Sequence, residues 1–169
     1  MKRPAPIRRL SQKVERMIDA IDRRILDLLQ DDNQITNLAL ADKVGLSPPA
    51  CLKRVRKLRA DGVIAKDVSV LDPESVGQSI VAFVGVELDR QREDVLASFE
   101  RKIASEREVQ QCYFVSGEID YLLTVVCRDM EAYNAFARRV LANEHNIKRF
   151  RTSFTLARIK YETKISLAE

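Results

Sequence analysis

The sequence predicts an α+β protein in two parts: an N-terminal three-helix (winged) helix-turn-helix unit and a C-terminal ferredoxin-like βαββαβ sandwich. Three observations carry that expectation. A short apolar-periodic segment, Asn37 to Val44, is followed by Gly45 and a Ser47-Pro48 helix start. The helix that begins there carries Lys53, Arg54, Arg56, Lys57 and Arg59, with no acidic residue between Ser47 and Ala60. From Ser79 onward, strand-like and helix-like periodicities follow one another in βαββαβ order.

At 169 residues and 46% apolar, the chain can hold one medium domain or two small ones. No apolar run reaches membrane-spanning length, and the basic N-terminus lacks the apolar stretch of a secretory signal, so a cytoplasmic location is expected. Residues 1–72 hold 15 Lys and Arg against 10 Asp and Glu, whereas residues 73–169 hold 14 against 15. The positive excess lies entirely in the first part, which points to two units with different partners.

Residues 1–18 read as a basic, solvated arm. Asp19–Gln30 is a helix, with Ile21, Ile25, Leu28 and Leu29 on one face and acidic residues early. Asp31-Asp32-Asn33 breaks it. Thr36 is placed to cap the second helix, and Gly45 supplies the sharp turn that follows. Ser47 is expected to cap the third helix, with Pro48 at the first helical position and Gly62 just past the end. On a wheel at about 100° per residue, Cys51, Leu52, Val55 and Leu58 gather on one side of this helix. Lys53, Arg54, Arg56 and Lys57 spread over the other, and Arg59 sits at the apolar edge, where it snorkels or pairs with an acid.

Val63–Leu71 alternates enough for a strand or wing, and residues 67–78 act as the connection. The boundaries expected are therefore an arm over 1–18, a DNA-binding unit over 19–66 and a second domain over 79–169. Within the latter, strands are expected at Ser79–Leu88, Val109–Ser116, Tyr121–Cys127 and Ile147–Ile159, and helices at Arg92–Ala104 and Met130–Leu141. If Gly117 opposes Asp120 in the hairpin, one face presents Cys112, Phe114, Tyr121, Leu123 and Val125. The other presents Tyr113, Val115, Leu122 and Val126. Two helices cover only one face, so the second apolar face calls for another copy of the chain, at least a dimer.

A basic helix preceded by a short helix and a glycine turn is what major-groove recognition needs. Catalytic signals are poor: the single histidine, His145, lies in a polar connection, and no nucleotide-binding glycine loop or metal-ligand cluster appears, so an enzyme, a metal and a cofactor are not expected. Cys51, Cys112 and Cys127 read as small core residues. An RNA-binding βαββαβ half is disfavoured by its net negative charge and by the lack of a basic-aromatic strand motif. The turn Val115-Ser116-Gly117-Glu118-Ile119-Asp120-Tyr121 has two readings. One is a plain hairpin turn. The other has Asp120 or Glu118 receiving a ligand ammonium while backbone N–H groups receive its carboxylate.

The segments Ile21-Asp22-Arg23-Arg24-Ile25-Leu26, Val44-Gly45-Leu46-Ser47-Pro48, Cys51-Leu52-Lys53-Arg54-Val55 and Val115 to Leu123 together resemble the Lrp/AsnC (feast/famine) transcription regulators, over about Asp19 to Leu167. The resemblance implies a sequence-specific regulator of double-stranded DNA whose C-terminal domain binds a small effector, an amino acid as a rule. It also implies dimers that commonly assemble into octamers. DNA contacts are then expected from Thr36, Asn37, Ser47, Pro49, Lys53, Arg54, Arg56 and Lys57. By matching position, Phe114, Gly117, Asp120, Tyr121, Met130, Thr152 and Phe154 are effector-pocket candidates. The chain departs from the pattern at Pro49 and Ala50, where a small hydroxyl residue and then proline are frequent. It departs again at Ala39, where an acidic residue usually completes a capping box, and at Lys66-Asp67, where Gly-Tyr is frequent. An architectural, DNA-bridging protein without an effector is the other reading the sequence allows.

Overall fold

A computed structural model of the chain describes residues 18–90 and 92–167. The basic arm expected over residues 1–18 lies, apart from Ile18, outside the described residues. Two compact units form: a helical unit that runs to Ser69 and resumes at Lys160, and a sheet unit over Val70–Ile159.

The helical unit begins with α1 (Ala20–Asp31), capped by Asp19, whose Oδ1 accepts the Asp22 N–H at 2.8 Å. Helix α2 (Asn37–Val44) starts at Thr36, whose hydroxyl accepts from the Ala39 N–H at 3.2 Å. That single bond holds the start without the reciprocal arm that Ala39 cannot supply; such a cap stabilises a helix by about 1 kcal/mol. Gly45 ends α2 at φ 70°, ψ 34°, a left-handed conformation that other residues adopt only with strain, and the chain turns into α3 (Pro48–Ala60). Ile25, Leu26, Leu40, Ala41, Val44, Cys51, Val55 and Leu58 form one buried cluster beneath the three helices.

Ser47 departs from expectation. It occupies the cap position of α3 with an extended backbone, yet its side chain makes no capping bond. Pro49 removes the donor at the second helical position, and Ser47 does not take the Ala50 N–H at the third, the position from which Asp19 and Thr36 accept in the other two helices. Val63–Leu71 holds no strand. Val63 and Ile64 donate instead to the Leu58 carbonyl and pack against the helical core, and among the described residues no neighbouring strand pairs with the segment beyond them.

The C-terminal boundary also differs from the expected 79–169. Residues 160–167 run with the helical unit as a strap along α1. Gln30 and the Ile165 backbone exchange two hydrogen bonds, at 3.1 and 2.7 Å. Lys164 bridges Asp27 and Asp31 at 2.9 and 2.7 Å, and Leu167 packs against the helical core.

The sheet unit contains β1 (Ile80–Leu88), α4 (Glu93–Ser105), β2 (Val109–Phe114), β3 (Tyr121–Cys127), α5 (Met130–Phe136) and β4 (Ile147–Phe154). Helix α5 continues as a wider π-type turn over Ala137–Ala142. Every paired strand is antiparallel, in the order β2-β3-β1-β4, the ferredoxin-like arrangement. The hairpin register differs by two residues from the expected one: Asp120 pairs with Val115 instead of Gly117, and Phe114 opposes Tyr121, Tyr113 opposes Leu122 and Cys112 opposes Leu123. A shift of two keeps every side chain on its expected face. Strand β4 stops at Phe154, opposite Ala82, instead of reaching Ile159, with one more bond beyond it from the Thr155 N–H to the Val81 carbonyl.

Ala82, Val84, Val86, Leu123 and Val125 face α4 and α5 and are fully buried with Leu96, Phe99, Ile103, Phe136 and Val140. Cys112 is a correction to the core reading. It stands on the edge strand β2, is exposed, and has its thiol pushed up to about 11 by desolvation and by Glu100. The opposite face carries Val81, Phe83, Leu122, Val126 and Tyr113, with Phe83 45% and Tyr113 51% exposed. Ile119 folds over Gly85 there, so that a β-carbon on Gly85 would meet its side chain at 3.2 Å.

Replacing Leu123, which is wholly buried between sheet and helices, by alanine is expected to lower unfolding stability by about 2–5 kcal/mol in a denaturant titration. A loss under about 1 kcal/mol is what a surface site gives, and would refute the placement of this core.

Candidate functional site

Two regions bring the expected functional residues to the surface. The first is the outer side of α3. Lys53, Arg56 and Lys57 are exposed there, beside exposed Ser47, Pro49 and Ala50 at its leading end. Lys57 lies 3.7 Å from Asp61, an exposed pair of little strength, while no ion pair is found for Lys53 or Arg56 among the described residues. The side chain of Asn37 donates to the Pro48 carbonyl at 2.9 Å, tying the start of α2 to the start of α3. Thr36 is held by its own cap. Both therefore set the attitude of the leading end.

Arg59 lies outside this surface. It pairs with Asp67 at 3.1 Å, as its place at the apolar edge anticipates. Arg54 is engaged too: its Nη1 donates to Asp19 Oδ2 at 2.7 Å and to Asp22 Oδ1 at 2.9 Å. The Asp22 N–H first, and then Arg54, hold the Asp19 carboxyl below the usual carboxylate range. Asp22, one of two buried charged residues among those described, carried no functional signal in the sequence beyond its place in the first turn of α1.

The second region is the sheet unit, and here the seven pocket candidates fall into two groups. Phe114, Gly117, Asp120 and Tyr121 lie where β2 and β3 meet the end of β1, with Tyr121 opposite Val86. Thr152 and Phe154 lie on β4, with Phe154 opposite Ala82. Four residues along β1 and three strand spacings put Phe114 about 20 Å from Phe154, and Tyr121 and Thr152 stand about 12 Å apart. One copy of the chain therefore presents the seven as two clusters.

In the first group the Phe114 and Tyr121 rings meet at 5.2 Å, and Tyr121 donates to Glu100 at 2.8 Å. Asp120 is buried, and its Oδ2 accepts the Leu88 N–H at 2.7 Å while its backbone N–H reaches the Val86 carbonyl. This carboxylate thus closes the end of β1, a long-range task that neither reading of the turn anticipated. In the second group the Tyr133 hydroxyl is hydrogen-bonded to the Thr152 hydroxyl, and its ring meets Phe154 edge-on at 4.9 Å. Met130, three residues before Tyr133 on α5, is exposed. Tyr133 and Glu100 were not among the expected site residues. The i, i+3 spacing from Met130 is the one signal that pointed to Tyr133.

A helix-turn-helix with a cationic outer face, joined to a separate βαββαβ unit, is the plan of a DNA-binding regulator with a ligand-binding domain. The family model for winged helix-turn-helix DNA-binding domains matches residues 18–65, and that for the Lrp/AsnC ligand binding domain matches residues 81–165. An uncharacterised HTH-type transcriptional regulator of Sinorhizobium fredii is 42% identical over 85% of each chain. The leucine-responsive regulatory protein of Rhizobium meliloti is 38% identical over 89% of this chain and 96% of its own. Among solved structures, a transcriptional regulator of Neisseria meningitidis in complex with L-Met superposes with a TM-score of 0.82 at 34% identity, covering 89% of this chain and 97% of that one. The chain belongs to the Lrp/AsnC family of transcriptional regulators. Its relatives are regulators rather than enzymes.

The Asp19 carboxyl yields a pH test. Its folded value is the lower one, so the stabilisation it gives is complete above the unfolded value of about 4 and is lost as pH falls through the folded value. Thermal melts of the wild-type chain and an Asp19→Asn variant are expected to differ at pH 6 and to converge as pH falls through the lowered Asp19 value. A gap that persists at low pH would contradict this assignment.

Proposed function

We propose that this regulator binds double-stranded DNA sequence-specifically through the outer face of α3, as a symmetric oligomer whose affinity is set by a small effector, an amino acid. The observation that carries the reading is the exposed cationic surface of Lys53, Arg56 and Lys57 beside a leading end built from Ser47, Pro49 and Ala50. The lysines and arginine meet phosphates, and the leading end lies near base edges. Without a capping task, the Ser47 hydroxyl is available to a phosphate or base. Because Pro49 and Ala50 depart from the family's usual residues, the operator preference belongs to this chain and not to its relatives.

The uncovered apolar sheet face supports a homodimer in which two such faces close on one another, and further association of dimers into an octamer. Such association would let the Phe114 group of one copy meet the Phe154 group of another, which is how the split candidate set forms one pocket. Exposed Phe114, Met130 and Phe154 suit an apolar effector side chain, and the L-Met complex of the Neisseria regulator supports an amino acid. No described helix is long and apolar enough to cross a membrane, and a cytoplasmic location accords with that.

Each phosphate contact contributes about −0.9 to the slope of log affinity against log salt. A Lys53/Arg56/Lys57 triple alanine variant is therefore expected to bind weakly and with a flattened slope in fluorescence anisotropy against operator DNA; undiminished binding by a folded variant sinks the interface. A calorimetric screen of the twenty amino acids is expected to find a ligand that Phe154→Ala loses while staying folded. No ligand in that screen favours the architectural alternative. Light scattering is expected to report a smaller species for Phe83→Asp than for the wild-type chain.

A further inference from the structure

The cations of α3 differ in where they stand. With Cys51 set to zero on the wheel, Lys53 falls near 200°, opposite the core, and Arg56 and Lys57 flank it at about 140° and 240°. Arg54 falls at about 300°, only about 40° from buried Leu58. Its side chain is 33% exposed, whereas those of its two partners are 52% exposed for Asp19 and 10% for Asp22. One guanidinium nitrogen bridges both carboxylates. Asp19 at the same time caps α1 through its other oxygen. Cap, buried carboxylate and recognition helix are thus joined at one atom.

We propose that Arg54 is a positioning residue for the DNA-binding face and not itself a DNA contact: by bridging Asp19 and Asp22 it fixes the roll of α3 on α1. This rests on the reading of α3 as the DNA-binding helix. A buried carboxylate such as Asp22 carries a heavy desolvation cost without a cation beside it, so Arg54 is retained there. Roll matters because a side-chain tip at the helix surface moves about 1 Å for each 10° of rotation, enough to spoil a hydrogen bond to a base edge. Phosphate attraction tolerates such a shift; base reading does not. Asn37, bound to the Pro48 carbonyl, fixes the leading end of the same helix, so roll and entry point are each held by one side chain.

The test uses the full chain and two duplexes: one that the wild-type chain selects from fragmented genomic DNA, and a random one of equal length. Arg54→Ala is expected to weaken binding to the selected duplex about tenfold, with the random duplex and the salt slope unchanged. Asp22→Asn, which leaves every basic residue in the sequence unchanged, is expected to do the same, and the double variant to add little more. Asp19→Asn keeps the cap, since asparagine serves there equally, and is expected to show a smaller loss of the same kind. If melting shows Arg54→Ala to be unfolded, Asp19→Asn and Asp22→Asn decide. Loss of discrimination at constant slope supports the positioning role. A slope lowered by about 0.9 per lost phosphate in Arg54→Ala, or binding that is unchanged or tighter in the two aspartate variants, overturns it. Wild-type protein that selects no fragment from genomic DNA overturns the DNA-binding reading itself, and the role with it, a result distinct from either.

Discussion

Two helices can cover only one face of a four-stranded sheet, and that limit shapes everything the sheet unit offers to other molecules. The covered face, from Ala82 through Val84 and Val86 to Leu123 and Val125, is sealed to zero exposure. The same alternation that seals it sends Phe83, Leu122, Val126 and Tyr113 to the other side. An antiparallel sheet usually turns polar residues outward; here Thr124, Arg151 and Ser153 do so, but they share the face with a strip of Val81, Phe83, Leu122, Val126 and Tyr113 that gives the unit a reason to associate. The edge strand β2, which α4 covers only in part, leaves Phe114 and Cys112 open at the margin. Association surface and aromatic margin thus arise from one geometric shortage.

In the helical unit the governing event is the burial of a charge. Asp22 sits in the first turn of α1, where the helix dipole favours a carboxylate, yet its burial demands a cation. Arg54 answers from α3. One face of α3 is thereby divided into cations that look outward and one that looks back. The basic character visible in the sequence overstates what reaches solvent, and Arg59, paired with Asp67, is a second instance.

Much of this was legible beforehand. Helix limits followed from Asp19, Thr36, Gly45, Pro48 and Gly62, because each is tied to one backbone conformation or one bond. The two faces of the hairpin followed from strict alternation, although the register itself is two residues from the one a Gly117–Asp120 pair would set. What was not legible depended on neighbours distant in sequence. Alternation in Val63–Leu71 suggested a strand, but a strand needs a partner and none pairs with it among the described residues. Cys112 has the neighbours of a core residue and a place on an exposed edge. Ser47 has the position of a cap, but Pro49 removes one of its two possible donors and its hydroxyl does not take the other. The pocket candidates were placed by the family's pattern, and the separation of Phe114 from Phe154 across the sheet appears only with the strand order in hand. Residues 160–167 have no periodicity at all, since a strap bound through Lys164, backbone groups and Leu167 obeys no repeat.

That strap bears on how the protein is made. The segment that binds Gln30, Asp27 and Asp31 emerges only after the whole βαββαβ stretch has been synthesised, roughly 5–20 s after Ser69 at ordinary elongation rates. Throughout that interval the three helices exist as an unfinished body, with one flank of α1 still waiting for its cover. The DNA-binding unit is therefore begun before the sheet unit and completed after it. Its maturation on the ribosome is gated by translation of a domain that is not its own.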